Sequence, residues 1–218
     1  MPYAAPPLLL PASGYPDGDC ERTNALIRAA YDLLDEGGLE GLTIRAVLAR
    51  AGLARRAFYE RFQGKDDLVL AVFDNSLRAA ALYFRTITAQ IPEPVEALRA
   101  IVTGIVMGQL GRGQAGANRR GAALSREHLR LAQTRPAELN SALEPLLDVM
   151  AGHVSRGMAE GVFRKADAQL QARLIYNLIS TTIHTVLLAE EQGTVADRSE
   201  REGLAGELWE FCRRAIVA

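Results

Sequence analysis

Between Thr43 and Lys65 the chain sets Arg45, Arg50, Arg55, Arg56, Arg61 and Lys65 against the single carboxylate of Glu60, a local charge of +5. The whole chain carries 25 Lys and Arg against 26 Asp and Glu, so the remaining residues sum to −6. A near-neutral total excludes a general attraction to nucleic acid or acidic lipid, and the segregated cations point instead to one local anionic partner. The residue types suit a DNA duplex. Adjacent guanidinium groups on a short helix match guanine edges and phosphate oxygens. Tyr59, one turn after Arg55, offers a ring to a thymine methyl or a hydroxyl to a phosphate. Lys65 adds a cation at a helix N-terminus, where anions are favoured. The bland alternative is a solvated basic helix pair inside a larger bundle.

Other chemistries find little support. His128, His153 and His184 lie far apart, without i,i+4 spacing or nearby cysteines, so no metal site is expected. Cys20 and Cys212 are the only cysteines, which is no disulfide framework and fits a reducing compartment. Gly111-Arg112-Gly113-Gln114-Ala115-Gly116 matches the G-x-G-x-x-G dinucleotide fingerprint. That motif needs a preceding strand and a βαβ unit, and here a helix precedes it, so it reads as an interhelical loop. No Ser-His-Asp order or phosphate-binding Walker loop is present, and neither a catalytic residue nor a cofactor is expected.

The elements that must position the basic residues are helical. Apolar residues recur three and four apart from Glu21 onward, and 218 residues with 49% hydrophobic and 23% charged content make a globular chain with a sizeable core. The first nineteen residues hold five of the nine prolines and read as a flexible arm. Leu8-Leu9-Leu10 is too short for a signal-peptide core, no segment approaches a membrane span, and a cytoplasmic location is expected. A first helix, about Glu21 to Glu36, stops at Gly37-Gly38. Thr43 caps a second that runs to Ala51, Gly52 breaks the chain, and a third runs from Ala54 to Phe62 with Phe58 and Phe62 on one side. Two short helices around a tight turn are helix-turn-helix spacing. Longer helices follow: Lys65 to Ala89, Val95 to Leu110, Arg119 to Gln133, Ala137 to Glu160 with a kink expected at Pro145, Asp167 to Glu190 and Arg198 to Val217.

Residues 21 to 70, with Leu-Thr-Ile-Arg, Ala-Gly-Leu, Phe-Tyr-Glu-Arg-Phe and Gly-Lys-Asp-Asp-Leu, resemble the TetR/AcrR family of bacterial transcriptional regulators. The resemblance implies an all-α fold: an arm over 1–19, a three-helix helix-turn-helix DNA-binding domain over 20–66, and a larger helical effector-binding and dimerisation domain over 67–218. It also implies a dimer, usually a repressor, that leaves its palindromic operator when a small molecule binds. On the matching positions Thr43 and Lys65 contact phosphate, Arg45 and the segment Arg55, Arg56, Ala57 and Tyr59 face the groove, and Arg61 joins the DNA-binding set. Ala54 and Ala57 depart from the Ser or Thr common at those places, removing a cap and a possible phosphate bond.

The last two long helices carry two apolar stripes, one for the chain's own core and one for a partner. Leu174, Leu178, Thr181, Leu188, Leu204, Leu208 and Phe211 are the expected homodimer contacts; a helix pair buried wholly within a monomer is the alternative. Tyr83, Met107, Leu110, His128, Leu131, Leu147 and Met150 are the candidates for lining a site for a largely apolar effector, though methionine and aromatic residues serve equally as core. Double-stranded DNA, a small-molecule effector and a second copy of the chain are thus the expected partners. An activator of the same fold, or a helical module binding an acidic protein, are the rival readings.

Overall fold

The computed structural model describes residues 18–110, 119–193 and 195–218, the first three by backbone alone. The proline-rich arm before residue 18 and the glycine motif at 111–116 lie outside them. The described residues form α1 (Gly18–Gly41), α2 (Ile44–Ala51), α3 (Arg55–Tyr59), α4 (Lys65–Thr88), α5 (Pro94–Leu110), α6 (Arg119–Thr134), α7 (Pro136–Ala159), α8 (Ala168–Glu191) and α9 (Arg198–Ile216). They contain no strand beyond one bridge between Phe163 and Val217. The fold is all-α, and no helix among these residues is long and apolar enough to cross a membrane.

Two helices have ends that differ from expectation. The first helix begins at Gly18 and breaks only at Gly38, whose φ of 60° and ψ of −150° interrupt the ladder before one more turn reaches Gly41. Helix α3 ends at Tyr59 rather than Phe62. After it, the N–H groups of Arg61 and Phe62 both return to the Phe58 carbonyl, closing a turn rather than extending the helix. Helix α7 passes through Pro145 as one element.

The chain packs into two compact units. Among described residues the first holds 18–79 and 119–142, and the second 80–110 and 143–218. In the first unit α1 packs against α2 and α6. Leu26, Leu34, Leu42, Val47, Phe58, Leu68, Val72 and Leu131 form its core, none more than 1% exposed. Burying each such side chain is worth about 1.5–3 kcal/mol. Tyr31 adds a polar tie, its hydroxyl donating to the Val72 carbonyl at 3.1 Å and meeting Ser76 Oγ, so that α1 is bonded to α4.

In the second unit α5 is the central helix, and α8 and α9 both pack on it. Leu98, Ile101, Val102, Val106 and Leu110 of α5 are fully buried. Arg201 of α9 crosses the end of this core, donating to Glu190 Oε1 at 2.6 Å and to the Leu110 carbonyl. Both charged residues are at most 5% exposed, so each depends on the other for solvation. Asp197 and Glu200 start α9 with a reciprocal capping box. The last residues return to the segment after α7: Arg164 N–H donates to the Ile216 carbonyl and Ala218 N–H to the Val162 carbonyl.

Two predictions arise from this packing. A Cβ on Gly157 would lie 2.1 Å from the Phe163 ring, whereas one on Gly152, in the same helix, meets nothing within 4 Å. Gly157→Ala is expected to destabilise by about 1–3 kcal/mol through overpacking, and Gly152→Ala to stabilise by up to about 1 kcal/mol through helix propensity; urea unfolding of both variants checks the opposite signs. Separately, Thr88 Oγ1 donates to the Phe84 carbonyl at 2.7 Å and lies 2.9 Å from His153 Nε2, which is therefore the donor. Burial, aided by the Arg156 charge, holds the His153 imidazolium pKa below the ordinary 6.5. A depressed histidine pKa favours the neutral ring in the folded state, so its stabilising contribution is complete above pH about 6.5 and is lost as pH falls through the lowered value. The melting temperature of the wild type is expected to drop more between pH 7.5 and 5 than that of His153→Gln; equal acid slopes would show that the ring does not report on folding.

Candidate nucleic-acid interface

Local sequence builds the interface from two helices too short to stand alone. Thr43 takes an extended backbone, and its Oγ1 accepts the Ala46 N–H at 3.1 Å, fixing the start of α2. At the other end Gly52 adopts φ 66°, ψ 29°, and the N–H groups of Gly52 and Leu53 both return to the Leu48 carbonyl. A left-handed residue is needed there, and glycine takes it without a Cβ penalty. Ala54 then opens α3 with no side-chain cap. Phe58 is fully buried and stands 5.4 Å from the Phe62 ring, anchoring α3 from below.

The polar face points outward. Arg45, Arg55, Arg56 and Tyr59 are exposed. The Arg55 guanidinium lies 5.4 Å from the Tyr59 ring centroid and 3.5 Å from its hydroxyl, so the pair presents one stacked surface. Arg56 pairs along the helix with Glu60 at 2.7 Å. Ala57 is half-buried, and half-buried Arg61 lines an open pocket of 470 Å³ with Phe62, Asp67, Asp74, Arg135 and Glu138. Lys65 Nζ donates to the Leu39 carbonyl at 3.1 Å, tying the start of α4 to the end of α1. Thr43, though exposed, is already engaged as a cap.

One counted cation does not belong to this face. Arg50 donates to both carboxylate oxygens of Glu36, at 3.0 and 2.7 Å, and stands 3.7 Å from Asp32. It joins α2 to α1, and its hydrogen bonds hold the Glu36 carboxyl below its usual range. Two other arginines, absent from the sequence reading, meet the start of α4. Arg130 of α6 grips both oxygens of Asp66, at 3.0 and 2.8 Å, and also Glu127 at 2.6 Å. Arg135, between α6 and α7, pairs with Asp67 and with Glu138 at 3.0 Å. Asp67 also accepts the Gln63 backbone N–H at 2.8 Å. That bond first, and Arg135 after it, hold the Asp67 carboxyl below its ordinary pKa. The only sequence signal was the acidic pair Asp66-Asp67, which helix-dipole preference alone explains.

The remaining candidate residues are spread over both units. Tyr83, Met107, Leu110, Leu147 and Met150 belong to the second, with Leu110, Leu147 and Met150 at most 1% exposed. His128 and Leu131 belong to the first, where His128 lies 6.1 Å from the Phe73 ring. On α8 and α9, Leu174 is 53% and Phe211 65% exposed, and Leu170 beside them 51%. Thr181 is exposed, and Leu178, Leu188 and Leu204 are half-buried. Leu208, at 7%, lies in the chain's own core.

The described residues are helical and carry a helix-turn-helix with a basic outer face near the N-terminus, an arrangement whose shape and charge suit a DNA duplex. Residues 26–72 match the family model for bacterial regulatory proteins of the tetR family. The tetracycline repressor protein class A from transposon 1721 of Escherichia coli is 35% identical over 81 residues, 37% of this chain and 35% of that one. The match thus spans about a third of the repressor's length. The transcriptional regulator FadR from Bacillus subtilis, solved with stearoyl-CoA, superposes with a TM-score of 0.67 at 19% identity, covering 86% of this chain and 96% of that one. A regulator from Saccharomonospora viridis, solved with choline, gives 0.65 at 19% identity, covering 91% and 98%. At these identities the likeness is one of fold.

The uncapped start of α3 gives a direct test. Ala54→Ser supplies a side-chain oxygen to the first-turn N–H groups of α3, which have no side-chain cap, and is expected to raise stability by about 0.5–1 kcal/mol. Thr43→Ala should lower it by about 1 kcal/mol, both read by denaturant unfolding. No change in either would mean that tertiary packing alone sets these helix ends.

Proposed function

We propose that the chain is a ligand-responsive, DNA-binding transcriptional repressor that works in the cytoplasm as a homodimer and has no enzymatic activity. The observation that carries the reading is the exposed face of Arg45, Arg55, Arg56 and Tyr59 on a helix-turn-helix. Residues 20–66 are its DNA-binding domain and residues 67–218 its effector-binding and dimerisation domain. In this reading α3 enters the major groove, Arg55 and Arg56 address base edges, and Ala57 allows close approach. Thr43, Tyr59, Arg61 and Lys65 take phosphates. Glu60 holds Arg56 only until a phosphate replaces it, because exposed ion pairs contribute about 0–1 kcal/mol.

The apolar residues Leu170, Leu174 and Phe211, exposed on α8 and α9, support pairing of two copies. Leu170 and Leu174 stand one turn apart on the same face of α8, and contiguous exposed apolar surface marks interaction sites. Leu178, Thr181, Leu188 and Leu204 extend it, and Leu208 backs it from the core. A two-fold dimer places two recognition helices on half-sites about 34–36 Å apart, hence a palindromic operator. For the effector we propose a small, largely apolar molecule held among helices of the second unit, with Tyr83, Met107, Leu110, Leu147 and Met150 as candidate contacts. The ligands of the structural relatives, stearoyl-CoA and choline, are chemically unlike and favour no single identity.

The test is selection of duplexes from a random-sequence library by the purified full chain, followed by anisotropy titrations at several salt concentrations. A palindromic consensus, bound tightly with a steep salt slope and lost in Arg55→Ala/Tyr59→Ala, is the expected result. Failure to enrich any sequence, with equal weak binding by wild type and variant, would overturn the reading in favour of a helical module for an acidic protein partner.

A further inference from the structure

Three consecutive residues at the start of α4 are each tied to a different part of the first unit. Lys65 donates to the carbonyl of Leu39, Asp66 receives both arms of the Arg130 fork, and Asp67 receives Arg135 together with the Gln63 N–H. Successive residues of a helix point about 100° apart around its axis. Three ties on three successive residues therefore block rotation of α4 about its own axis, not only its displacement. The bidentate Arg130–Asp66 pair adds direction, because a planar fork facing a planar carboxylate fixes orientation as well as distance. Arg130 is itself held by Glu127, and Arg135 by Glu138.

What this rotation controls is close by in sequence. Helix α3 ends at Tyr59, and only residues 60–64 separate it from Lys65. Gln63, in that connection, is bonded to Asp67 itself. The setting of α4 is thereby passed to α3 through a connection with little slack. A helix dipole would be satisfied by Asp66 and Asp67 without any arginine, so two guanidinium partners from one corner of the fold call for another role.

We propose that Arg130 and Arg135 are positioning residues for DNA recognition: through Asp66 and Asp67 they aim α3 without touching DNA, making the α6–α7 corner a working part of the DNA-binding module. This rests on the DNA-binding reading above. It opposes simple electrostatics in a way that can be measured. Removing two anions beside a basic face should strengthen binding to any duplex if charge alone mattered; loss of aim should weaken binding to the preferred sequence alone.

The experiment uses the full chain, the duplex recovered by the random-sequence selection and a scrambled duplex of equal length. Asp66→Asn/Asp67→Asn is expected to bind the selected duplex about tenfold more weakly and the scrambled one no more weakly than wild type. Asp74→Asn, whose carboxylate pairs with Arg78 along α4, serves as the charge control and should weaken neither. The exchange Asp66→Arg/Arg130→Asp should recover most of the specific affinity lost by Arg130→Asp alone. Equal or tighter binding of the selected duplex by the double Asn variant, at a temperature where it is folded, overturns the inference. Should that variant fail to fold, the exchange decides, and an exchange no better than Arg130→Asp overturns it as well. A wild type that does not distinguish the two duplexes refutes the DNA-binding reading and this inference with it, whereas failure of the positioning role alone appears only in the variants.

Discussion

An eight-residue helix and a five-residue helix have too few internal hydrogen bonds to persist in water, and α2 and α3 have those lengths. Their existence is therefore a tertiary fact. Val47 and Phe58, both fully buried, seat them in the first unit's core. Thr43 and Gly52 fix the ends of α2. The 24-residue α4 supplies the stiffness that the short pair lacks, so whatever holds its first turn also holds the arginines of α3. Lys65, Asp66 and Asp67 are where that hold is made.

The same economy divides the cations. Counted along the sequence, residues 43–65 form one basic block; in space they do different work. Arg50 is used up between Glu36 and Asp32, joining α2 to α1. Lys65 gives one of its hydrogens to a backbone carbonyl and keeps two for another acceptor. Arg55 lies against Tyr59, which holds a long, flexible side chain near one conformation. The outward-facing positive surface is smaller than the net charge suggests, and better ordered.

Much of this was legible because its causes are local. Caps, glycine breaks and apolar spacing are decided by residues within a turn of one another, and Thr43, Gly52 and the spacing of Phe58 and Phe62 were read correctly from the chain alone. The break at Gly37-Gly38 is equally local, since Gly38 takes it with φ 60°; the end of α3 is not, because two N–H groups beyond Tyr59 share the Phe58 carbonyl. The ion pairs were invisible for a different reason. Arg130 is 64 residues from Asp66, and Arg135 is 68 from Asp67; periodicity carries no information about partners at that range. Arg50, 14 residues from Glu36, looked free because the turn that folds α2 back on α1 is what brings them together.

The second unit shows the same limit at its most demanding point. Arg201 reads in sequence as one more charged residue of a solvent-facing helix start, beside Arg198, Glu200 and Glu202. In the fold it lies 4% exposed, with Glu190 and the last carbonyl of α5 as its partners. A buried ion pair gains little over apolar residues of equal volume, because desolvation of both charges offsets their attraction. Its effect is instead directional. Apolar contacts tolerate small rotations of α8 and α9 over α5, while a guanidinium shared between a carboxylate and a helix-terminal carbonyl does not. The pair thus fixes how α8 and α9 leave the core, and with that the placement of the exposed Leu174 and Phe211 that a second copy would have to match.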